Sequence, residues 1–340
     1  MKVIATRDAV GHVLAHDMTQ IIRGVTKDAR FRKGHVVTEA DIPVLLSMGK
    51  ENLYVWEKQE GMLHENEGAE ILWSMVGGEH LRPSPVKEGK IDVYAEIDGL
   101  LKVDGERLYQ VNSAGEMMIA SRHGNTPVRA GDKLAGTRVI PLVIEEKKLL
   151  RVKEQIGPEP LMRILPYTVH TCGVVTTGTE VATGRIQDTF TPVLVDKLAY
   201  YGIQMTEHVT LADNDKETTA AILSMIDKGV DMVLCTGGMS VDPDDKTPLA
   251  IRNTGARIVS YGAPILPGAM FMLAYQGDTP ILGLPGCVMY AKRTVFDVVL
   301  PRVAARDEIT AVELAKLGEG GLCLGCEHCT FPNCGFGKGW

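Results

Sequence analysis

The sequence has no surplus of basic charge, no long apolar run and no nucleotide-binding fingerprint. Its 340 residues hold 36 Lys and Arg against 43 Asp and Glu, a formal charge of −7. A nucleic-acid binder would show a basic excess, so that class is excluded. An anionic small ligand is not, because backbone amides bind phosphate without net positive charge. No stretch nears the roughly 18 uninterrupted apolar residues of a membrane-crossing helix. Charge arrives at Arg7 and Asp8 with no apolar signal core behind it, so the expectation is a cytoplasmic protein with no membrane partner. Gly-x-Gly-x-x-Gly and Gly-x-x-x-x-Gly-Lys-Ser/Thr are both missing, which leaves a dinucleotide site or an ATPase phosphate loop unsupported. The nine histidines show no metal spacing and no Ser/His/Asp order.

What is present suggests two or three domains with full cores. Residues 1–70 read as a short α+β segment. Thr38 and Asp41 have capping-box spacing ahead of Ile42, Leu45 and Leu46, and Gly49 closes that helix. Residues 52–56 read as a strand, and 57–70 as a polar connection leading toward a helix around Leu72–Val76. Residues 71–160 read as a β-rich barrel or sandwich. Ile91, Val93, Ala95 and Ile97 alternate with polar residues, the period of a half-buried strand. Asp98-Gly99 and Asp104-Gly105 are hairpin-type turn signals. The charges at 145–148 and 151–154, then Gly157-Pro158, read as a boundary.

From 165 to 308 the pattern alternates strand and helix, as in a parallel α/β sheet. The strand at 169–176 ends in Thr177-Gly178-Thr179-Glu180. The apolar strand at 230–235 runs into Thr236-Gly237-Gly238-Met239-Ser240. Ligands of such sheets sit beyond the carboxyl ends of the strands, where glycine admits close approach and hydroxyls donate to anions. Acids follow both loops: Asp188, then Asp242, Asp244 and Asp245. Carboxylates facing a phosphate site hold Mg²⁺, or they are solvated helix starts favoured by the dipole. Gly283-Leu284-Pro285-Gly286 is a tight turn before a helix. Cys235, within its apolar strand, reads as a packed core thiol.

Four of seven cysteines, Cys323, Cys326, Cys329 and Cys334, crowd the segment 309–340. Two-residue gaps and a nearby proline resemble a ferredoxin run, so an iron–sulfur cluster is expected first. Zinc is the alternative.

The stretch 168–305 resembles the molybdopterin-binding domain of molybdenum-cofactor biosynthesis proteins, including molybdotransferases of the MoeA and gephyrin type. Thr177-Gly178-Thr179-Glu180, Ile186-Gln187-Asp188-Thr189, Thr236–Val241, Asp245 and Gly283–Gly286 carry the resemblance. It implies an α/β/α domain preceded by β-rich accessory domains. It implies that Thr177, Gly178, Thr179, Glu180, Thr236, Gly237, Gly238, Ser240, Pro285 and Gly286 hold molybdopterin or finished molybdenum cofactor. It implies further that Asp188 and Asp245 serve Mg²⁺ and catalysis. Implied partners are the pterin, a receiving molybdo-enzyme or other pathway protein, and a second copy in a homodimer. Residues 9–17 and 32–42 are loosely similar to the accessory domains. Three departures stand out: Leu266-Pro267-Gly268-Ala269 lacks the family's lysines, Cys287 replaces an asparagine, and the cysteine tail replaces a β domain. The function implied is a molybdotransferase or a non-catalytic cofactor carrier or maturation factor with a redox-sensing tail. A nucleotide hydrolase of the competence-damage type, which shares the domain, is a third reading.

Overall fold

Buried parallel strands are apolar on both faces, and the six-stranded sheet at the centre of the second half shows why. In the computed structural model, residues 2–22, 24–55, 60–240, 242 and 245–339 are described. Val241 and Asp244 of the second loop, and Trp56 of the predicted strand, lie outside them. The sheet strands are β1 (Thr171–Thr177), β2 (Gln204–Leu211), β3 (Met232–Thr236), β4 (Arg257–Tyr261), β5 (Met272–Gln276) and β6 (Thr279–Leu284), in the spatial order β2-β1-β3-β6-β5-β4. The first four in that order are parallel, while β5 is antiparallel to β6 and β4 antiparallel to β5.

Successive strand residues serve opposite cores. Val174, Leu234 and Leu282 join one cluster with Leu194 and Leu198 of helix α1 (Phe190–Ala199) and Phe296 and Leu300 of a later helix, Val295–Ala304. Val175, Val233 and Ile281 join another with Ile222 and Met225 of helix α2 (Asp215–Asp227). Each such side chain contributes roughly 1.5–3 kcal/mol on burial. Helices therefore cover both faces, the expected α/β/α arrangement. Asn214 caps α2 as its spacing predicts, accepting from the Lys216 and Glu217 amides at 3.0 and 3.3 Å. Cys235 is fully buried, and burial pushes its thiol up to about 12, so it packs as a core thiol.

The chain divides into two interleaved units: Met1–Tyr94, Asp104–Arg122 and Lys133–Met162 form one, and Ala95–Val103, His123–Asp132 and Arg163–Trp340 the other. The second holds the six-stranded sheet. In the first, the strands Lys2–Ala5 and Asn52–Val55 pair antiparallel. The helix Asp41–Ser47 buries Leu45, and the Thr38 amide and hydroxyl both donate to Asp41 Oδ2. A four-stranded sheet, ordered Leu81–Pro83, Lys90–Ala95, Lys133–Val139, Met117–Ser121, follows. Lys90–Ala95 alternates buried and half-exposed residues, as read.

Three local expectations are corrected. Asp104-Gly105 is not a hairpin turn: Asp104 is the N-cap of the helix Gly105–Ser113, its carboxylate accepting from the Arg107 amide at 3.0 Å. Aspartate suits both roles, and only the following contacts choose between them. Asp98-Gly99 joins strands of different sheets rather than a hairpin. The charges at 145–154 lie on the helix Glu146–Ile156, opposite its buried Leu149, Val152 and Ile156, and the chain passes from one unit to the other soon after, between Met162 and Arg163. The helix read around Leu72–Val76 starts earlier, at Glu65. No described helix is long and apolar enough to cross a membrane.

Candidate functional site

Strands β1, β3 and β6 end together, because Thr176 pairs with Thr236 and Thr236 with Leu284. The loops after them, starting at Gly178, Gly237 and Pro285, therefore share one sheet edge. The first two are laced by hydroxyls. Thr177 Oγ1 donates to Thr236 O (3.2 Å) and lies 3.1 Å from Thr247 Oγ1, which itself donates to Gly237 O at 2.9 Å. Gly237 is required here: its φ is +80°, and a Cβ on it would stand 2.0 Å from Thr177 O. Gly238, at +54°, continues the left-handed turn. Successive residues of this kind shape backbone concavities that take anions. Among the described residues, Thr236 Oγ1 is buried and without a hydrogen-bond partner. Such an orphan hydroxyl is costly unless a ligand satisfies it.

In the first loop, Gly178 has φ +143° and its amide donates to Leu211 O at 3.0 Å. Thr179 is held through its amide and hydroxyl by Asp213 Oδ2, both at 3.0 Å. Glu180 is exposed, with its carboxylate near Gly178. In the second loop, Ser240 is exposed, and its carbonyl and that of Met239 face Tyr261 Oη at 3.5 and 3.1 Å. Pro285 is extended and opens a single turn at Gly286–Met289. A Cβ on Gly286 would meet nothing within 4 Å, so its surroundings are open.

The two catalytic candidates have different surroundings. Asp188 Oδ1 accepts the Phe190 and Thr191 amides at 2.9 and 3.0 Å, and its Oδ2 accepts the Thr191 hydroxyl at 2.6 Å and the Thr176 hydroxyl at 3.4 Å. Burial raises its pKa, but the Thr191 hydroxyl, the two amides and nearby His208 outweigh burial and hold it below the usual carboxylate range. Asp188 thus binds the start of α1. Asp245 Oδ2 instead accepts the Asp242 amide at 3.2 Å, and its own amide donates to Asp242 O at 2.9 Å, a local turn. Among the described residues no three His, Cys, Asp or Glu side chains gather closely enough to hold a metal.

His208 and Asp213 escaped the sequence reading. His208 Nε2 stands 3.1 Å from Thr176 Oγ1 and 3.8 Å from Asp188 Oδ2. It arrives there because β2 pairs with β1, placing His208 beside Val174; no local spacing announces that. A cavity of about 210 Å³ lined by Val169, Tyr275 and Pro280 lies at the opposite, amino-terminal edge of the parallel strands and is separate from this site.

Comparison with known proteins bears on this edge. Residues 173–305 match the family described as "probable molybdopterin binding domain". The matched segment is well under half of the chain. It contains all three strand-end loops and both acids. Residues 3–57 match a family described only as a domain of unknown function. A CinA-like protein of Mycolicibacterium gilvum is 41% identical over 76 residues, 22% of this chain and 18% of that one. One of Mycobacterium avium is 36% identical over 75 residues, 22% of this chain and 17% of that one. The chain thus spans under a fifth of those relatives' length. Among solved structures, the molybdopterin biosynthesis enzyme MoaB of Thermus thermophilus covers 42% of this chain and 98% of its own, at 20% identity and TM-score 0.34. CinA of Thermoplasma acidophilum covers 40% and 98%, at 17% and 0.34.

The four tail cysteines lie outside the matched segment 173–305. Cys323 and Cys334 are half-buried against the core cluster, whereas Cys326 and Cys329 are exposed.

Proposed function

We propose that the protein binds molybdopterin at the edge formed by the β1, β3 and β6 loops and works in molybdenum-cofactor biosynthesis. The observation that carries the reading is the Gly237–Thr177 junction with the unsatisfied Thr236 hydroxyl beside it, inside a segment matched to a molybdopterin-binding family. The phosphate would meet the Gly237-Gly238 backbone and the Thr236 hydroxyl, and the pterin the side of Thr179, Glu180 and Gly286.

The finer reading is transfer of metal into an adenylylated pterin. Such chemistry is mostly positioning and charge stabilisation. Mg²⁺ is normally held by one or two carboxylates together with substrate phosphates. Asp188 is engaged by the Phe190 and Thr191 amides at the start of α1, which favours Asp245 as the carboxylate for that ion. The rival reading is a carrier that binds cofactor without turning it over. It draws support from the lack of a cationic side chain in Leu266-Pro267-Gly268-Ala269.

Purified protein incubated with adenylylated molybdopterin, Mg²⁺ and molybdate decides between them. AMP release supports transfer, and bound pterin without AMP supports the carrier. Release that survives Asp245→Ala removes Asp245 from catalysis. Failure to bind any pterin overturns the proposal and favours a nucleotide hydrolase.

A further inference from the structure

The cysteine tail is a closed loop built against the α/β unit. Its two ends meet where the Gly337 amide donates to Gly320 O at 2.9 Å. One arm pairs with Leu266, whose amide donates to Gly321 O and whose carbonyl accepts from the Cys323 amide, both at 2.8 Å. The other arm is anchored by Phe336, which is 5% exposed within the core cluster. Gly337 packs so tightly there that a Cβ on it would stand 2.6 Å from Val298. Between those anchors, Cys323, Cys326, Cys329 and Cys334 all line one cavity of about 270 Å³.

That cavity has a cationic wall supplied from outside the tail. Lys292 and Arg293 precede the helix Val295–Ala304 and border it. Lys292 Nζ donates to Glu327 O at 2.9 Å, and Arg293 Nη1 donates to Asp297 Oδ1 at 2.9 Å, while Arg293 and Cys329 line the same cavity. Arg293 Nε is buried without a hydrogen-bond partner among the described residues. A buried guanidinium nitrogen left unpaired is costly.

We infer that Cys323, Cys326, Cys329 and Cys334 bind one iron–sulfur cluster, with Lys292 and Arg293 as its cationic wall. Four thiolates are the usual ligand set of such a cluster, and hydrogen bonds to its sulfurs tune its potential. Each thiol would release its proton on ligation. In this structure no three of the thiols converge. The backbone already brings all four to one cavity, and ligation would turn the thiols toward one centre. Zinc would also take four thiolates, but it usually draws them from two separated knuckles, whereas the two-residue gaps here are those of a ferredoxin run. The inference is independent of pterin binding.

The test is anaerobic purification of the full chain, followed by reconstitution with ferrous iron and sulfide. Iron, acid-labile sulfide and zinc are then measured per chain. The expected result is iron and sulfide in equal amounts, with a visible chromophore that dithionite bleaches. Cys326→Ser and Cys329→Ser, both at exposed positions, are expected to lose the chromophore while far-UV circular dichroism stays unchanged. Cys287→Ser, a cysteine outside this cavity, is expected to keep it. Stoichiometric zinc without sulfide, no metal after reconstitution, or full cluster content in both serine variants would overturn the inference.

Discussion

Replacing Gly237 by alanine would force apart the two loops that meet at the sheet edge. The substituted residue would keep φ near +80° with its Cβ 2.0 Å from Thr177 O and 2.9 Å from Thr177 Oγ1. A left-handed backbone costs an L-residue roughly 1–2 kcal/mol. The contact adds to this, because non-bonded heavy atoms normally stand about 3.5–4.0 Å apart. The neighbour is a backbone carbonyl at the end of a central strand, so it cannot swing aside as a flexible side chain would. Overpacking of this kind costs about 1–3 kcal/mol, for a total of about 2–5 kcal/mol. At about 2–4 °C per kcal/mol for a domain of this size, Tm falls by about 4–20 °C. The assay pairs thermal unfolding with anaerobic titration of molybdopterin. Gly286→Ala is the companion variant, since a Cβ there meets nothing and φ is not left-handed. It is expected to leave Tm unchanged or raise it slightly, because Gly→Ala at a compatible site stabilises by up to about 1 kcal/mol. Its pterin affinity is nevertheless expected to fall, since the new methyl group enters the space assigned to the ligand. An unchanged Tm in Gly237→Ala would refute the packing argument. Unchanged affinity in both variants would refute the strand-end location of the ligand.

Two further outcomes follow from buried charge. The Asp188 pKa is lowered in the folded state, so the unfolded chain binds more protons as pH falls through the ordinary aspartate range. Asp188 therefore stabilises the fold above that range, and the contribution disappears at lower pH; in urea titrations between neutral and acid pH, Asp188→Asn is expected to show a shallower pH dependence. Asp307 accepts from Lys102 Nζ at 2.9 Å and from Arg302 Nε, and Arg302 is 1% exposed. Asp307→Ala removes the acid those two cations share and is expected to cost about 3–5 kcal/mol in denaturant unfolding, whereas a loss under about 1 kcal/mol would show that Glu313 and the Glu308 carbonyl suffice for Arg302.

Local pattern was enough for much of the second half of the chain. Strands β1 and β3, their helices and the Asn214 cap depend on neighbours within a few residues, and both the apolar runs and the capping spacing are local quantities. The strand-end loops were legible for the same reason, since glycine and threonine follow directly on a buried strand. Asp104 and Asp98 were misread because one short motif serves two structures until distant packing selects between them. His208 entered the site through parallel pairing across 34 residues, from Val174 to His208. The contrast is sharpest for the cysteines. Their spacing alone suggested shared chemistry. That they form a pinned loop beside Lys292 and Arg293 depends on Phe336 reaching the core and on Cys323 pairing with Leu266. Composition and periodicity act along the chain, whereas the register of strands and the closing of a loop are set by contacts between residues far apart in it.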